Sequence, residues 1–361
     1  MIEQPDHIKS IPAYKPGRST VEGWDGPVFK LSSNENPYPP LPSVVDAVTR
    51  AAGHMQRYPN MAAPEFRAAL ARRLDVPEED IALGGGSVES AAQIVRAFAG
   101  HDDEVIFAWR SFEAYPLLVK TAGATAVEVP LTATEHHDLP AMLAAITPRT
   151  RVIFMCTPNN PTGTVVDHEE LREFMRQVPS HILVVVDEAY THFVNDSTAV
   201  RGLEVYREFE NVVVLHTFSK AYGLAGLRLG YTIARADVRQ GLAKTAMPFA
   251  VTDVAAAAGV ASLAAEDELQ KRVDLLISER DRVEAELALS GWNVPPSQAN
   301  FFWLAVGAQT DAVQEHLLRH GIIARPFTGE GIRVSIGEPE ANDAVLSALR
   351  SFHGSDSAAL S

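Results

Sequence analysis

TRVIFMCTPNNPTGTVVDHEELREFMRQVPSHILVVVDEAY, residues 150–190, decides the fold. It holds two short, continuously apolar runs, RVIFMC (151–156) and ILVVVD (182–187), joined by the helical pattern HEELREFMRQV. Such runs, separated by a helix, read as neighbouring parallel strands buried on both faces. Working outward, the alternation continues. IALGG, EVIFA and ATAVEVP read as strands, and SVESAAQIVRAFAG, SFEAYPLLVKTAG and LPAMLAAI as helices between or after them. NVVVLHT and RLGYTIA add strands downstream. The expected fold class is α/β, a large domain with a mostly parallel sheet covered by helices on both faces, plus a smaller α+β domain.

The smaller domain is expected over 251–361, where a long Ala- and Leu-rich helical stretch runs from Asp253 to about Ser290. The strands NFFWLAV, GIIARP and GIRVSI follow it. The large domain is expected over 41–250 and begins with the helical patterns VVDAVTRAAGHM and PEFRAALARRL. Residues 1–40, rich in Pro and Gly, read as an extended arm packing on the small domain or a partner subunit. The last residues, GSDSAALS, read as a fraying tail.

Of 361 residues, 46% are hydrophobic, enough for a sizeable core, and the net charge is -15. That charge disfavours nucleic acid as a partner and suits small metabolites. The single cysteine, Cys156, excludes an intrachain disulfide framework. There is no apolar leader and no run long enough to span a bilayer, so a cytoplasmic protein is expected. No histidine spacing suggests a metal; His136 and His137 read as solvated loop residues.

Ligands of open α/β sheets bind at the carboxyl ends of the strands. Those ends here carry Gly84-Gly85-Gly86-Ser87, Thr157 to Gly163 with Asn160, Asp187 to Tyr190, and Phe218-Ser219-Lys220, with Arg228 eight residues on. Glycines opening a helix, with Ser219 and Arg228, suit a phosphate. They fail as a dinucleotide fingerprint, because Glu89 stands where glycine is needed. Asp187, ending an apolar strand, needs a cationic partner such as a protonated pyridine nitrogen. Asn160 and Tyr190 suit a phenolic ring oxygen, and Lys220 is a nucleophile able to form an imine. Singly these are a turn, a helix cap and a surface lysine; jointly they point to pyridoxal 5'-phosphate.

CTPNNPTG, VVVDEAY and FSKAYGLAGLRLGY resemble signatures of the fold-type I, class II pyridoxal-phosphate-dependent aminotransferases, in the histidinol-phosphate aminotransferase-like branch. LSSNENPYPP and RYPN resemble that branch too, so the likeness runs nearly end to end. The resemblance implies that Lys220 holds the cofactor as a Schiff base, with Asp187 on the ring nitrogen and Asn160 and Tyr190 on the ring oxygen. Ser87, Val88 (by its backbone), Ser219 and Arg228 resemble the phosphate cup, and Phe112 the aromatic that stacks on the ring. Tyr58 resembles a tyrosine that reaches the neighbouring subunit's phosphate, which implies a homodimer with shared sites. Arg333 resembles the arginine that grips the substrate carboxylate, and Tyr14, Asn34 and Phe327 are the further substrate contacts expected. Trp109 is a further candidate wall for the substrate side chain, with core packing its favoured role.

There are departures. Val88 stands where that branch commonly has an acidic or amide residue, and Trp109-Arg110-Ser111-Phe112-Glu113 replaces its usual stacking segment. Those residues and PPSQANF instead resemble actinobacterial aromatic amino acid (phenylalanine) aminotransferases. That likeness implies amino transfer from phenylalanine, tyrosine or tryptophan to 2-oxoglutarate, giving aromatic oxo acids and L-glutamate. The alternative is histidinol-phosphate transamination, which Arg333 cannot separate, since a phosphate would need the same arginine. A transcription regulator on this fold would need a DNA-binding domain ahead of Ser33, where thirty-two residues leave no room. A lyase using the same cofactor stays open.

Overall fold

A computed structural model describes residues 2–9, 11, 20–21 and 23–358. In chain order the strands are β1 (Phe29–Lys30), β2 (Ile81–Gly84), β3 (Glu104–Trp109), β4 (Thr125–Pro130), β5 (Thr150–Cys156), β6 (Leu183–Asp187), β7 (Val212–Thr217), β8 (Gly230–Ile233), β9 (Phe301–Leu304), β10 (Ile322–Ile323), β11 (Arg325–Phe327) and β12 (Gly331–Ser335). Seven of them form one sheet in the order β2-β8-β7-β6-β5-β3-β4. Only β8 runs against its neighbours; the rest are parallel.

Alternation along these strands explains their continuous apolar runs. Ile153, Met155, Val184, Val186 and Val214 face one apolar cluster, while Val152, Phe154, Val185, Val213 and Leu215 face another. Successive side chains point to opposite faces, and both faces are covered, so neither set can be polar. The helix Ser87–Phe98 packs against Ala236–Thr245 over one part of the sheet. Helices Pro42–Ala52 and Pro64–Leu74 pack on Asp253–Ala264.

A second sheet, β11-β12-β9, is antiparallel. Helices Glu266–Leu289, Thr310–Arg319 and Pro339–Ala358 pack around it. One apolar cluster runs without a break from Val186 of the large sheet through Phe301 and Ile332 to Leu349 of the last helix.

Several details differ from the sequence reading. The segment before residue 41 contributes β1, which pairs in parallel with β10. The Ala- and Leu-rich stretch is two helices, broken at Ala265, with the Thr252 hydroxyl accepting from the Ala255 N–H to start the first. The helices Gly202–Glu208 and Ala236–Thr245 went unread because neither carries a strong apolar stripe. The final helix continues to Ala358, into the segment that composition assigns to a fraying tail. Among the described residues, no helix is long and apolar enough to cross a membrane.

Candidate active site

β3 and β5 lie side by side where the sheet order reverses, the usual place for a ligand crevice. A cavity of about 270 Å³ opens there. Cys156, Asn160, Asp187, Tyr190, Ser219 and Lys220 line it from the strand ends. Ser32 to Glu35 close it from the N-terminal segment, and Arg325 and Arg333 from the second sheet.

Two titratable groups in this cavity are driven in opposite directions. The Lys220 Nζ donates to the Ser33 carbonyl at 3.0 Å and lies 5.7 Å from the Tyr190 ring centroid. Burial of the amine lowers its pKa to about 7, although part of the side chain faces the cavity. The Arg333 and Arg228 guanidinium groups add to the shift and Glu35 opposes it. Burial raises Asp187 to about 6, against hydrogen bonds from the Tyr115 hydroxyl at 2.7 Å and the Ala189 N–H at 3.3 Å. A carboxylate this enclosed favours a cation beside it, and an amine this depressed is a competent nucleophile and base near neutral pH.

The glycine turn builds the opposite end. Gly86 has φ +90, and a Cβ on it would collide with the Arg228 guanidinium. A Cβ on Gly230 would lie 2.8 Å from the Ser87 nitrogen. Both positions therefore need glycine for β8 and the helix start to approach. Arg228 donates to Ser219 Oγ at 3.4 Å, to the Ala225 carbonyl at 2.9 Å and to the Gly85 carbonyl at 3.3 Å. The arrangement sets the N-terminus of a twelve-residue helix, one arginine and one serine hydroxyl around a single point, which suits a phosphate. Gly86→Ala is expected to weaken cofactor binding at least about tenfold, the cost of displacing one charge-assisted contact. Absorbance titration of the apoprotein checks this; unchanged affinity would remove the turn from the site.

Between these ends lies a buried polar group. The Tyr190 hydroxyl accepts from Asn34 Nδ2 at 3.0 Å and Asn160 Nδ2 at 3.4 Å. Arg333 donates through Nη1 to Asn160 Oδ1 at 2.5 Å and through Nη2 to the Ser32 carbonyl at 2.6 Å. Phe112 lines the cavity and meets Tyr115 edge-on at 5.5 Å.

Other residues named from the sequence lie elsewhere. Tyr58 is 81% exposed, packs on Phe249 and does not line the cavity of its own chain. Phe327 does not line the cavity; it is buried against Trp303, with the Arg110 guanidinium 5.2 Å from its ring. Trp109 packs on Phe107 and carries Arg110 over its ring. Tyr14 lies outside the described residues. Of the two adjacent histidines, His136 is exposed, but His137 is not a solvated loop residue. It is buried, and burial holds its pKa down at about 4, opposed by Asn159. Among the described residues, no group of three His, Cys, Asp or Glu is placed for a metal.

The sequence reading passed over Tyr115, Ser335, and the pairing of Glu113 with Arg325, which meet bidentately at 3.0 and 3.1 Å on the cavity wall. Tyr115 alone had a signal, three residues beyond Phe112 at the start of a helix.

Cradle, depressed amine, buried carboxylate and paired amides together fit pyridoxal phosphate. Residues 26–349 match the family described as aminotransferase class I and II, and the chain belongs to that family of pyridoxal-phosphate-dependent enzymes acting on amino and oxo acids. It is 54% identical over 346 residues, 96% of each chain, to a Streptomyces coelicolor protein named aromatic amino acid aminotransferase. A protein of the same name from Cutibacterium acnes is 53% identical over 95% of this chain and 97% of its own. Among solved structures, Sinorhizobium meliloti histidinol-phosphate aminotransferase in complex with pyridoxal-5'-phosphate is similar, with a TM-score of 0.88 and 28% identity over 97% of both chains. A Thermus thermophilus aspartate aminotransferase mutant shares the fold, with a TM-score of 0.83 at 22% identity over 97% of this chain and 99% of its own.

Proposed function

We propose that the enzyme moves the amino group of phenylalanine, tyrosine or tryptophan to 2-oxoglutarate. The near-full-length identity to proteins named aromatic amino acid aminotransferase carries this reading. The Glu113–Arg325 pair supports it. A phosphate dianion would favour two cations, and Arg325 already spends its charge on a carboxylate.

In this reading Ser87, Val88, Ser219 and Arg228 hold the cofactor phosphate. Asp187 faces the ring nitrogen, Asn160 and Tyr190 the ring oxygen, and Phe112 the ring plane. When bound, the cofactor supplies the electron sink that makes the substrate Cα–H acidic. Arg333 binds the substrate carboxylate with two parallel N–H donors and so presents Cα to Lys220. Lys220 Nζ, with its pKa near 7, takes the Cα proton and holds it for return. Phe112 offers an apolar surface to the substrate side chain.

Side-by-side assays of phenylalanine and histidinol phosphate, each with 2-oxoglutarate, test the substrate. Phenylalanine is expected to be preferred in kcat/KM by at least about 100-fold, the discrimination a site gains from a mismatched buried charge. A preference for histidinol phosphate would overturn the reading.

A further inference from the structure

The Tyr190 hydroxyl has one proton to give and two lone pairs to fill. Both amides that touch it, Asn34 and Asn160, present nitrogen to it. Each amide is held in that sense by a group at its other end. Arg333 can only donate, so Asn160 must turn its oxygen to Arg333 and its nitrogen to Tyr190. Asn34 is fixed by Ser335. The Asn34 backbone N–H donates to Ser335 Oγ at 2.8 Å, and Ser335 Oγ donates back to Asn34 Oδ1 at 3.1 Å. Asn34 sits at φ +53 and is 1% exposed, and its carbonyl accepts from Asn300 Nδ2 at 3.2 Å. With two donors on its oxygen, Tyr190 has its own proton left to point into the cavity that it lines.

We propose that Ser335 is a positioning residue that, by fixing the Asn34 amide, makes Tyr190 a hydrogen-bond donor toward the cofactor ring oxygen. Ser335 and Arg333 lie two residues apart on β12, on one face of the strand. One strand of the second sheet thus orients both amides that polarise the tyrosine. The inference rests on the assignment of Tyr190 to the ring oxygen. A donor there stabilises the ionised ring oxygen and lowers the pH at which the cofactor's bound form changes protonation. The charged and titratable groups facing Tyr190 are Arg333 from β12, Asp187 from β6, Cys156 from β5 and Lys220. None of them is altered by substituting Ser335.

The test is a pH titration of the visible absorbance of the holoenzyme, with cofactor affinity measured in parallel. Ser335→Ala should raise the midpoint by about one pH unit, the tenfold effect of one reoriented hydrogen bond. Ser335→Thr, which keeps the hydroxyl, should restore it. Asn34→Asp, nearly isosteric but unable to donate when ionised, should raise it at least as far and covers the case in which Ser335→Ala does not fold. Tyr190→Phe separates the two levels of argument. If it shifts the midpoint while folded Ser335→Ala and Asn34→Asp do not, the positioning role is wrong and the site assignment stands. If none of the three shifts it, the assignment of Tyr190 falls and the role of Ser335 with it.

Discussion

Lys220→Ala should lower the rate of amino transfer from phenylalanine by at least about 10⁴-fold, the upper range of a lost proton-transfer group before counting the lost covalent anchor. Steady-state turnover with 2-oxoglutarate measures it, and a variant within tenfold of the parent would remove Lys220 from the chemistry. The same substitution has an opposite effect on the apoprotein. The folded pKa of Lys220, about 7, lies below its ordinary 10.5. A lowered folded value means that stability is present above pH 10.5 and is lost as pH falls through 7. The alanine variant escapes that loss, so its apo form should melt higher than the parent below pH 7. Folding and function therefore make contrary demands on this position.

Asp187→Asn should show the same conflict on the other side of neutrality. Asp187 is raised from its ordinary 3.8 to about 6 by burial. A raised folded value means that stability is full below pH 3.8 and is lost as pH climbs through 6. Apoprotein carrying asparagine should therefore gain on the order of 2 to 3 kcal/mol above pH 7, given about 1.4 kcal/mol per unit. Turnover should fall about 10²- to 10³-fold, as when one preorganised electrostatic partner is lost. Denaturant melts of apoprotein at pH 5 and pH 8, with kcat of the holoenzyme, measure both. A gain over the parent no larger at pH 8 than at pH 5, or undiminished kcat, would each contradict the account.

Much of this was legible from the chain alone, for a specific reason. Residues such as Asp187 and Lys220 follow apolar runs that can only be buried parallel strands, and strand ends in such sheets converge on one crevice. The type of residue at each end then named the chemistry. What stayed hidden depends on distant pairings. Glu113 and Arg325 are 212 residues apart, and Asn34 and Ser335 are 301 apart. No local periodicity marks such partners. His137 was misread because its neighbours in sequence are polar, whereas its surroundings in space are set by a packed loop beside Asn159.

The unbroken apolar cluster bears on how this enzyme can change over generations. Tyr190 lines the cavity on one edge and packs against Phe301 at 5.0 Å on another, inside that cluster. Mutations at such a position alter selectivity and foldedness together, so selection on one is constrained by the other. Glu113 and Arg325, only half-buried at the cavity wall, escape that constraint. New donor preferences in this lineage should therefore arise first at the ion-paired wall, while the cofactor half of the pocket stays fixed by the packing beneath it.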